Sequence, residues 1–450
     1  MINVAAICSI KNWPLTAEYG FSSLFFFLVS ALAFFIPVSL VAAELATGWP
    51  ERGGVFVWVK EALGHKMGFL AVWLQWAENA IWYPTILSFI GATLAYSFNP
   101  GLANNKVYMM IVIFVAFWGA TFVNLRGMKI SGIISSVGVI LGTIIPGTVI
   151  IVLGLVWWAS GKPLQIDMNW NTLIPDLSSP YQLSLLAGVL LGLAGMEMSA
   201  VHARDVINPQ KNYPIAIFLS AVLILVLSVL GTLAIAFVIP QKEISLVGGA
   251  MEALAHFMGS YGLRSLVPVF AVLVALGALG GMSTWTAGPS KGLLAAAQSG
   301  EFPPLLHRVN KNDMPVAMMV MQGVFVSLLS LVFLFMPDVS SSFWILLVLT
   351  SQLYLIMYIL MFVAAIVLRY KRPNVARAYK IPFGKMGMWI VSGLGIVTSF
   401  GTLIISFYPP DQLNTGSALF YQMFLLIGII VVSAIPFIIL MFKKPSWNKP

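Results

Sequence analysis

The chain has 450 residues, of which 60% are hydrophobic and only 9% charged, with a net charge of +9 and a mean hydropathy of +0.94. Soluble domains carry about 25% charged residues, so this composition excludes an ordinary soluble fold. Cys8 is the single cysteine, which excludes an intrachain disulfide and a multi-cysteine metal site.

Apolar runs recur along the whole sequence at about the 20 residues that a helix needs to cross a bilayer. Backbone in lipid must satisfy its own hydrogen bonds, so the runs predict an all-α membrane protein. The short alternating segments of a membrane barrel are absent. No cleavable signal peptide stands at the start.

In chain order, a short interrupted segment covers 2–19, a second span 21–45, and an amphipathic piece, Val55–Leu63, is expected along the membrane interface. Spans three to five follow at 67–98, 107–123 and 130–159, and a polar loop, 160–180, leads to the sixth at 182–202. Span seven is 215–239. A loop with a short helical pattern, 243–261, precedes span eight at 265–287, and the last four spans are 316–336, 343–368, 388–407 and 419–442. About twelve spans result. With the N-terminus cytoplasmic, about 19 of the 24 Lys and Arg residues fall on the inner side and four outside. Both termini are therefore expected in the cytoplasm, and the positive charge reads as topology rather than as a nucleic-acid footprint.

Three places break the apolar pattern. The first is Cys8-Ser9-Ile10-Lys11-Asn12-Trp13-Pro14, where Pro14 lacks an N–H and Lys11 carries a charge. It reads either as a helix interrupted at membrane depth or as a helix ending near Pro14, with Lys11 reaching an interface. The second is Gly192-Leu193-Ala194-Gly195-Met196-Glu197 in span six. Gly192 marks either a weakened helix or a close helix contact, and the contact reading does not account for Glu197. Interrupted helices at matching positions of two halves point to a transporter's binding site, where freed N–H groups suit a carboxylate and freed carbonyls an ammonium. Ser9, Ile10, Lys11, Asn12, Ala194, Gly195, Met196 and Glu197 are the candidate substrate-binding residues.

The third place is Glu78, at the middle of span three. Lys11 is its natural partner, in a proton-linked or a purely structural ion pair, so Lys11, Glu78 and Glu197 are the coupling candidates. Trp76, Trp82, Trp285, Tyr354 and Tyr358 are candidate gating aromatics, or ordinary packing. The four histidines, His65, His202, His256 and His307, scatter over loops and span ends, and no catalytic dyad, metal site or cofactor motif is visible. A non-transporting sensor or intramembrane enzyme would need one of these or a soluble signalling domain.

Several stretches, in their order and spacing, carry a resemblance. They are Phe35-Ile36-Pro37-Val38, Ala42-Ala43-Glu44-Leu45-Ala46-Thr47, Gly53-Gly54-Val55-Phe56-Val57-Trp58-Val59 and Gly195-Met196-Glu197, with Asn208-Pro209 and Tyr213-Pro214 downstream. Trp285-Thr286-Ala287-Gly288-Pro289-Ser290-Lys291-Gly292, Pro303, Asn310-Lys311-Asn312 and Tyr379-Lys380-Ile381-Pro382-Phe383-Gly384 complete the set. The sequence resembles the amino acid–polyamine–organocation transporters, and within them the bacterial glutamate:γ-aminobutyrate antiporters, over nearly its whole length.

The resemblance implies a leucine-transporter-like fold: five-helix repeats at 1–159 and 182–368 in inverted orientation, peripheral spans at 388–442, and a short cytoplasmic tail, 443–450. It also implies an amino acid substrate held at the breaks in spans one and six, and exchange or proton-coupled transport in a bacterial inner membrane without ATP. A proton-coupled symporter of neutral or cationic amino acids is the alternative, and a homodimer is compatible with the sequence. The chain departs from the pattern in three ways. Cys8 to Pro14 replaces the usual Gly-Ser-Gly-like break, no folded cytoplasmic plug follows span twelve, and the start at Met1 leaves the first half-helix short. Plug-based gating is therefore not expected.

Overall fold

The computed structural model describes residues 7, 9–51, 53–127, 136–198, 209–411 and 413–448. Cys8, His202 and Asn208 lie outside them. The described residues are helical, with no strand among them, and ten helices are long and apolar enough to cross a membrane. After a short α1 (Trp13–Ala17), the first long span is α2 (Gly20–Gly48), followed by α3 (Val55–Leu63) and α4 (His65–Ala95). Then come α5 (Lys106–Asn124), α6 (Ser136–Ala159), α7 (Leu186–Leu193), α8 (Pro209–Val238) and α9 (Gly249–Ser260). The chain ends with α10 (Val267–Ala296), α11 (Val316–Ser330), α12 (Val339–Lys371), α13 (Gly384–Ile405) and α14 (Ala418–Met441).

Helix α4 forms the centre. It packs against α3, α5, α10, α11, α12 and α14, and is buried on every face from Gly68 to Thr93 with few exceptions. This explains why α4 is not among the ten strongly apolar helices. Its Gln75, Glu78, Asn79, Thr85 and Ser88 face protein rather than lipid. Helix α3 has the bounds of the amphipathic sequence pattern. It packs against α4 and α12 through the run Val55-Phe56-Val57-Trp58-Val59, which is buried throughout.

Prolines inside the spans are accommodated locally. A π-turn, Ala31–Phe35, immediately precedes Pro37 in α2, and another, Ile140–Ile144, precedes Pro146 in α6. The wider turn absorbs the missing N–H and the ring clash that would otherwise kink the helix. Helices α6 and α10 cross at backbone contact, since a Cβ on Gly277 would fall 2.6 Å from the Gly142 Cα. Only small residues permit such a crossing.

Two of the motif stretches, more than 300 residues apart in sequence, meet at one end of the bundle. Buried Glu44, near the end of α2, accepts hydrogen bonds from Arg369 Nε (2.6 Å), from Arg369 Nη2 and from the Ile381 N–H (2.8 Å). Arg369 also donates to the Ile381 and Gly384 carbonyls, and Arg377 Nε lies 3.6 Å from Glu44 Oε1. The Tyr379 N–H donates to Thr47 Oγ1 (3.2 Å). Loop 372–384 is thereby strapped across the ends of α2 and α12. Buried Glu301 meets His65 Nδ1 (3.2 Å) at the start of α4 and Lys443 Nζ (3.1 Å) of the tail. His65 is therefore a polar partner of Glu301 as well as a solvated side chain.

Candidate functional site: a cavity between two helix breaks

The first break is real, but Pro14 does not cause it. Ser9 is extended (φ −132°, ψ 126°), Ile10–Asn12 forms one 3₁₀ turn, and α1 starts at Trp13 with Pro14 in its first turn. A proline there costs nothing, because first-turn N–H groups have no intrahelical partner. Pro14 thus opens a helix; the interruption in the stretch lies at extended Ser9, and the reading of a helix that ends near Pro14 does not hold. Lys11 is 1% exposed and does not reach an interface.

The second break follows α7. Ala194 is extended, Gly195 has φ +114°, and Met196–Met198 continue as a 3₁₀ turn. Gly195 is required at that φ, which side chains with a Cβ avoid. A Cβ on Gly192 would sit 3.3 Å from Asn12 Nδ2, so Gly192 serves the close approach of the two broken segments. Along the second break, the Gly195 N–H donates to Tyr358 Oη (2.8 Å) and the Ala194 N–H to the Leu191 carbonyl. Those two freed donors are spent inside the protein rather than offered to a ligand.

Glu197 is buried and well held. It accepts from Tyr358 Oη (2.6 Å), from Tyr354 Oη and from Gln75 Nε2 (3.2 Å). Three donors engage most of the four lone-pair positions of a carboxylate. Tyr354 and Tyr358, one turn apart on α12, stack at 4.7 Å and act as its hydrogen-bond clamp.

A cavity opens between the breaks, bordered by Ser9, Lys11 and Asn12 on one side, Glu78, Asn79 and Trp82 on α4, and Ala194, Trp285 and Tyr354 on the others. Lys11 Nζ donates to Thr85 Oγ1 (3.3 Å) and lies 5.3 Å from the Trp82 ring centre and 5.1 Å from that of Phe343. These cation–π contacts replace part of the water that a buried ammonium loses. Among the described residues no carboxylate lies within 4.0 Å of it, so Lys11 and Glu78 share a cavity without forming the expected ion pair. Glu78 Oε1 and Asn79 Oδ1 are buried with no hydrogen-bond partner among the described residues. An unpaired buried acceptor is costly, which makes these two atoms the natural contact points for a donor arriving from outside.

The candidate aromatics divide. Trp82 and Trp285, with ring centres 6.1 Å apart, border the cavity together with Tyr354. Trp76 faces away, against Trp73 (5.2 Å) and Phe325 (6.5 Å). Sequence reasoning missed Gln75, Asn79, Thr85 and Phe343. A signal existed for the α4 residues: positions 75, 78, 82 and 85 share one helical face by their spacing. Phe343 had none. The arrangement contains a cation, unpartnered acceptor atoms and aromatic walls, a set suited to binding a polar solute.

The profile of the amino acid permease family matches residues 2–432. The chain is 46% identical over 438 residues to an uncharacterized transporter of Legionella pneumophila, covering 97% of this chain and 94% of that protein. It is 34% identical over 446 residues to a glutamate/gamma-aminobutyrate antiporter of Lactococcus lactis (97% and 88%). A probable agmatine/putrescine antiporter of the same species is more distant, at 24% over 370 residues (81% and 77%). With ten membrane-length apolar helices and a match spanning almost its whole length, the chain is an integral membrane protein and belongs to the amino acid permease family.

Proposed function

We propose that the chain is an amino acid antiporter of the glutamate/γ-aminobutyrate exchange type, working by alternating access in a bacterial inner membrane with both termini cytoplasmic. The observation that carries this reading is the cavity at the junction of two helix breaks, bordered by Lys11 and by Glu78 and Asn79, whose Oε1 and Oδ1 have no partner among the described residues. A zwitterion presents a carboxylate to the first and an ammonium to the second. The 34% identity to a glutamate/gamma-aminobutyrate antiporter supports the same cargo. Nothing in this cycle needs a cofactor.

The ten apolar helices, central α4 and the broken first segment make up twelve spans in this reading. Residues 1–159 and 182–368 are inverted five-helix repeats, 388–442 are peripheral, and one bundle rocks against the other around the fixed site. Ser9 to Asn12 and Ala194 to Glu197 form its two broken walls. Lys11 supplies the positive charge for an acidic side chain or stands in for a coupling cation. Glu78 is the better proton carrier of the two acids, since Glu197 is already engaged by three donors.

Proteoliposomes loaded with γ-aminobutyrate test the proposal. Labelled glutamate should enter only when internal substrate is present and should not need a proton gradient. Uptake into empty vesicles driven by a proton gradient alone would replace this reading with a proton-coupled symporter of neutral or cationic amino acids.

A further inference from the structure

The stretch from Arg369 to Lys385 carries six basic residues and no acidic one. Four of them are engaged inside the protein: Arg369 and Arg377 at Glu44, Arg372 at Glu61 and Lys371 at the Ala62 carbonyl. Lys380 and Lys385 are exposed, and among the described residues neither has a carboxylate within 4.0 Å. Lys385 is placed by aromatic rings instead. Its Nζ lies 4.3 Å from the ring centre of Tyr370, at the end of α12, and Trp389, one turn further along α13, donates from Nε1 to Tyr370 Oη (3.1 Å).

Apolar surface continues from this cluster. Met386, Ile390, Val397, Phe400 and Ile404 are exposed and fall at helical spacing on one face of α13. They extend over about 27 Å, close to the thickness of a bilayer's hydrocarbon. Gly393 lies between Ile390 and Val397, and a Cβ on it would meet nothing within 4 Å, so the stripe carries a notch. Phe383, just before α13, has φ +61° and is 87% exposed. That backbone region is strained for a bulky side chain, and so exposed a ring gains little from the protein to offset the strain.

We propose that this end of α13 binds an anionic phospholipid. Lys385 and Lys380 take its phosphodiester, Phe383 inserts beside its acyl chains, and one chain lies along the stripe over Gly393. Charge complementarity selects the headgroup: a zwitterionic lipid brings its own cation towards the lysines, whereas a lipid of net negative charge does not. Tyr370 and Trp389 are amphipathic rings of the kind that settle at headgroup level. Free phosphate would gain nothing from the apolar stripe, so the continuity of cations and stripe points to a lipid. The site does not depend on which solute the protein carries.

The test titrates the purified full chain in nonionic detergent with phosphatidylglycerol or phosphatidylcholine of the same acyl chains and counts retained lipid by native mass spectrometry. Phosphatidylglycerol should bind at a concentration about tenfold lower than phosphatidylcholine. Lys380→Gln combined with Lys385→Gln should abolish that preference, and Lys380→Arg with Lys385→Arg should keep it. Gly393→Leu fills the notch and should weaken both lipids alike, leaving the preference intact. Phe383→Gly relieves the backbone, so it should hold or raise the melting temperature in detergent while weakening both lipids. Equal binding of the two lipids, a preference that the glutamine pair leaves unchanged, or displacement of phosphatidylglycerol by inorganic phosphate beyond the effect of sodium chloride at equal ionic strength overturns the site.

Discussion

Glu44 and Glu78 are both buried carboxylates at 1–2% exposure, yet they are treated in opposite ways. Glu44 receives a two-pronged arginine, a backbone N–H and a second arginine nearby, and its neighbours are strapped by further bonds. Glu78 has an oxygen with no partner among the described residues and faces a cavity. A saturated buried charge holds structure together, because removing one partner strands the others. An unsaturated one weakens the resting protein and is tolerable where a ligand or proton completes it. The contrast separates architecture from site more sharply than burial or charge alone.

The largest expected effect is at the saturated end. Glu44→Leu leaves Arg369 buried without its carboxylate and should cost about 3–5 kcal/mol, seen as a collapse of thermal stability in detergent. Replacing both partners by leucine should recover part of that loss, since an apolar pair strands no charge on Arg369. If the double variant is no better than Glu44→Leu, the network is not organised around that pair.

Tyr358→Phe comes next. It removes a donor to Glu197 and the acceptor of the Gly195 N–H in one step. Leaving those groups unpaired should cost about 1–3 kcal/mol in a thermal melt. An unchanged melt would mean that the second break keeps its shape without the clamp.

Glu78→Leu should behave in the reverse sense. Removing a buried carboxylate with an unpartnered oxygen should hold stability level or raise it by about 1–2 kcal/mol, while exchange in vesicles falls by at least about tenfold. A destabilisation as large as that of Glu44→Leu would erase the distinction between the two acids and place Glu78 in the architecture.

How much of this was legible in the sequence follows the same division. Hydrophobic length located the ten apolar helices, and the loop helix at Gly249–Ser260 fell inside its expected pattern. Lys11, Glu78 and Glu197 stood out because charge is rare in apolar runs. Their partners did not stand out. Whether Lys11 pairs with Glu78 or with Thr85, Trp82 and Phe343 depends on the height at which the broken segment meets α4, which is a tertiary fact. Pro14 misled for a local reason: proline breaks a helix from inside but starts one from its first turn, and composition alone does not say which turn it occupies. Helix α3 keeps the bounds of its amphipathic pattern, but the partners of its polar end, Arg372 at Glu61 and Lys371 at the Ala62 carbonyl, are tertiary facts.

The smallest expected effect concerns a carboxylate between these extremes. Glu252 sits half-buried on α9, outside the spans, and its carboxyl is held above the ordinary carboxylate range by burial first and by the nearby Glu243 charge second. The folded chain therefore keeps this proton to higher pH than the unfolded chain does. Its contribution is fully present below about pH 4, where both states are protonated, and is lost as the pH rises through the raised value. Glu252→Gln removes the titration. The melting temperatures of the two proteins in detergent should run parallel in acid and then separate, with the wild type falling more steeply as the pH passes the ordinary carboxylate range. Parallel curves up to neutral pH would show that water reaches Glu252 freely. Glu252 would then belong with the solvated charges of the loops, and incomplete pairing would mark a working group only inside the membrane, at Glu78.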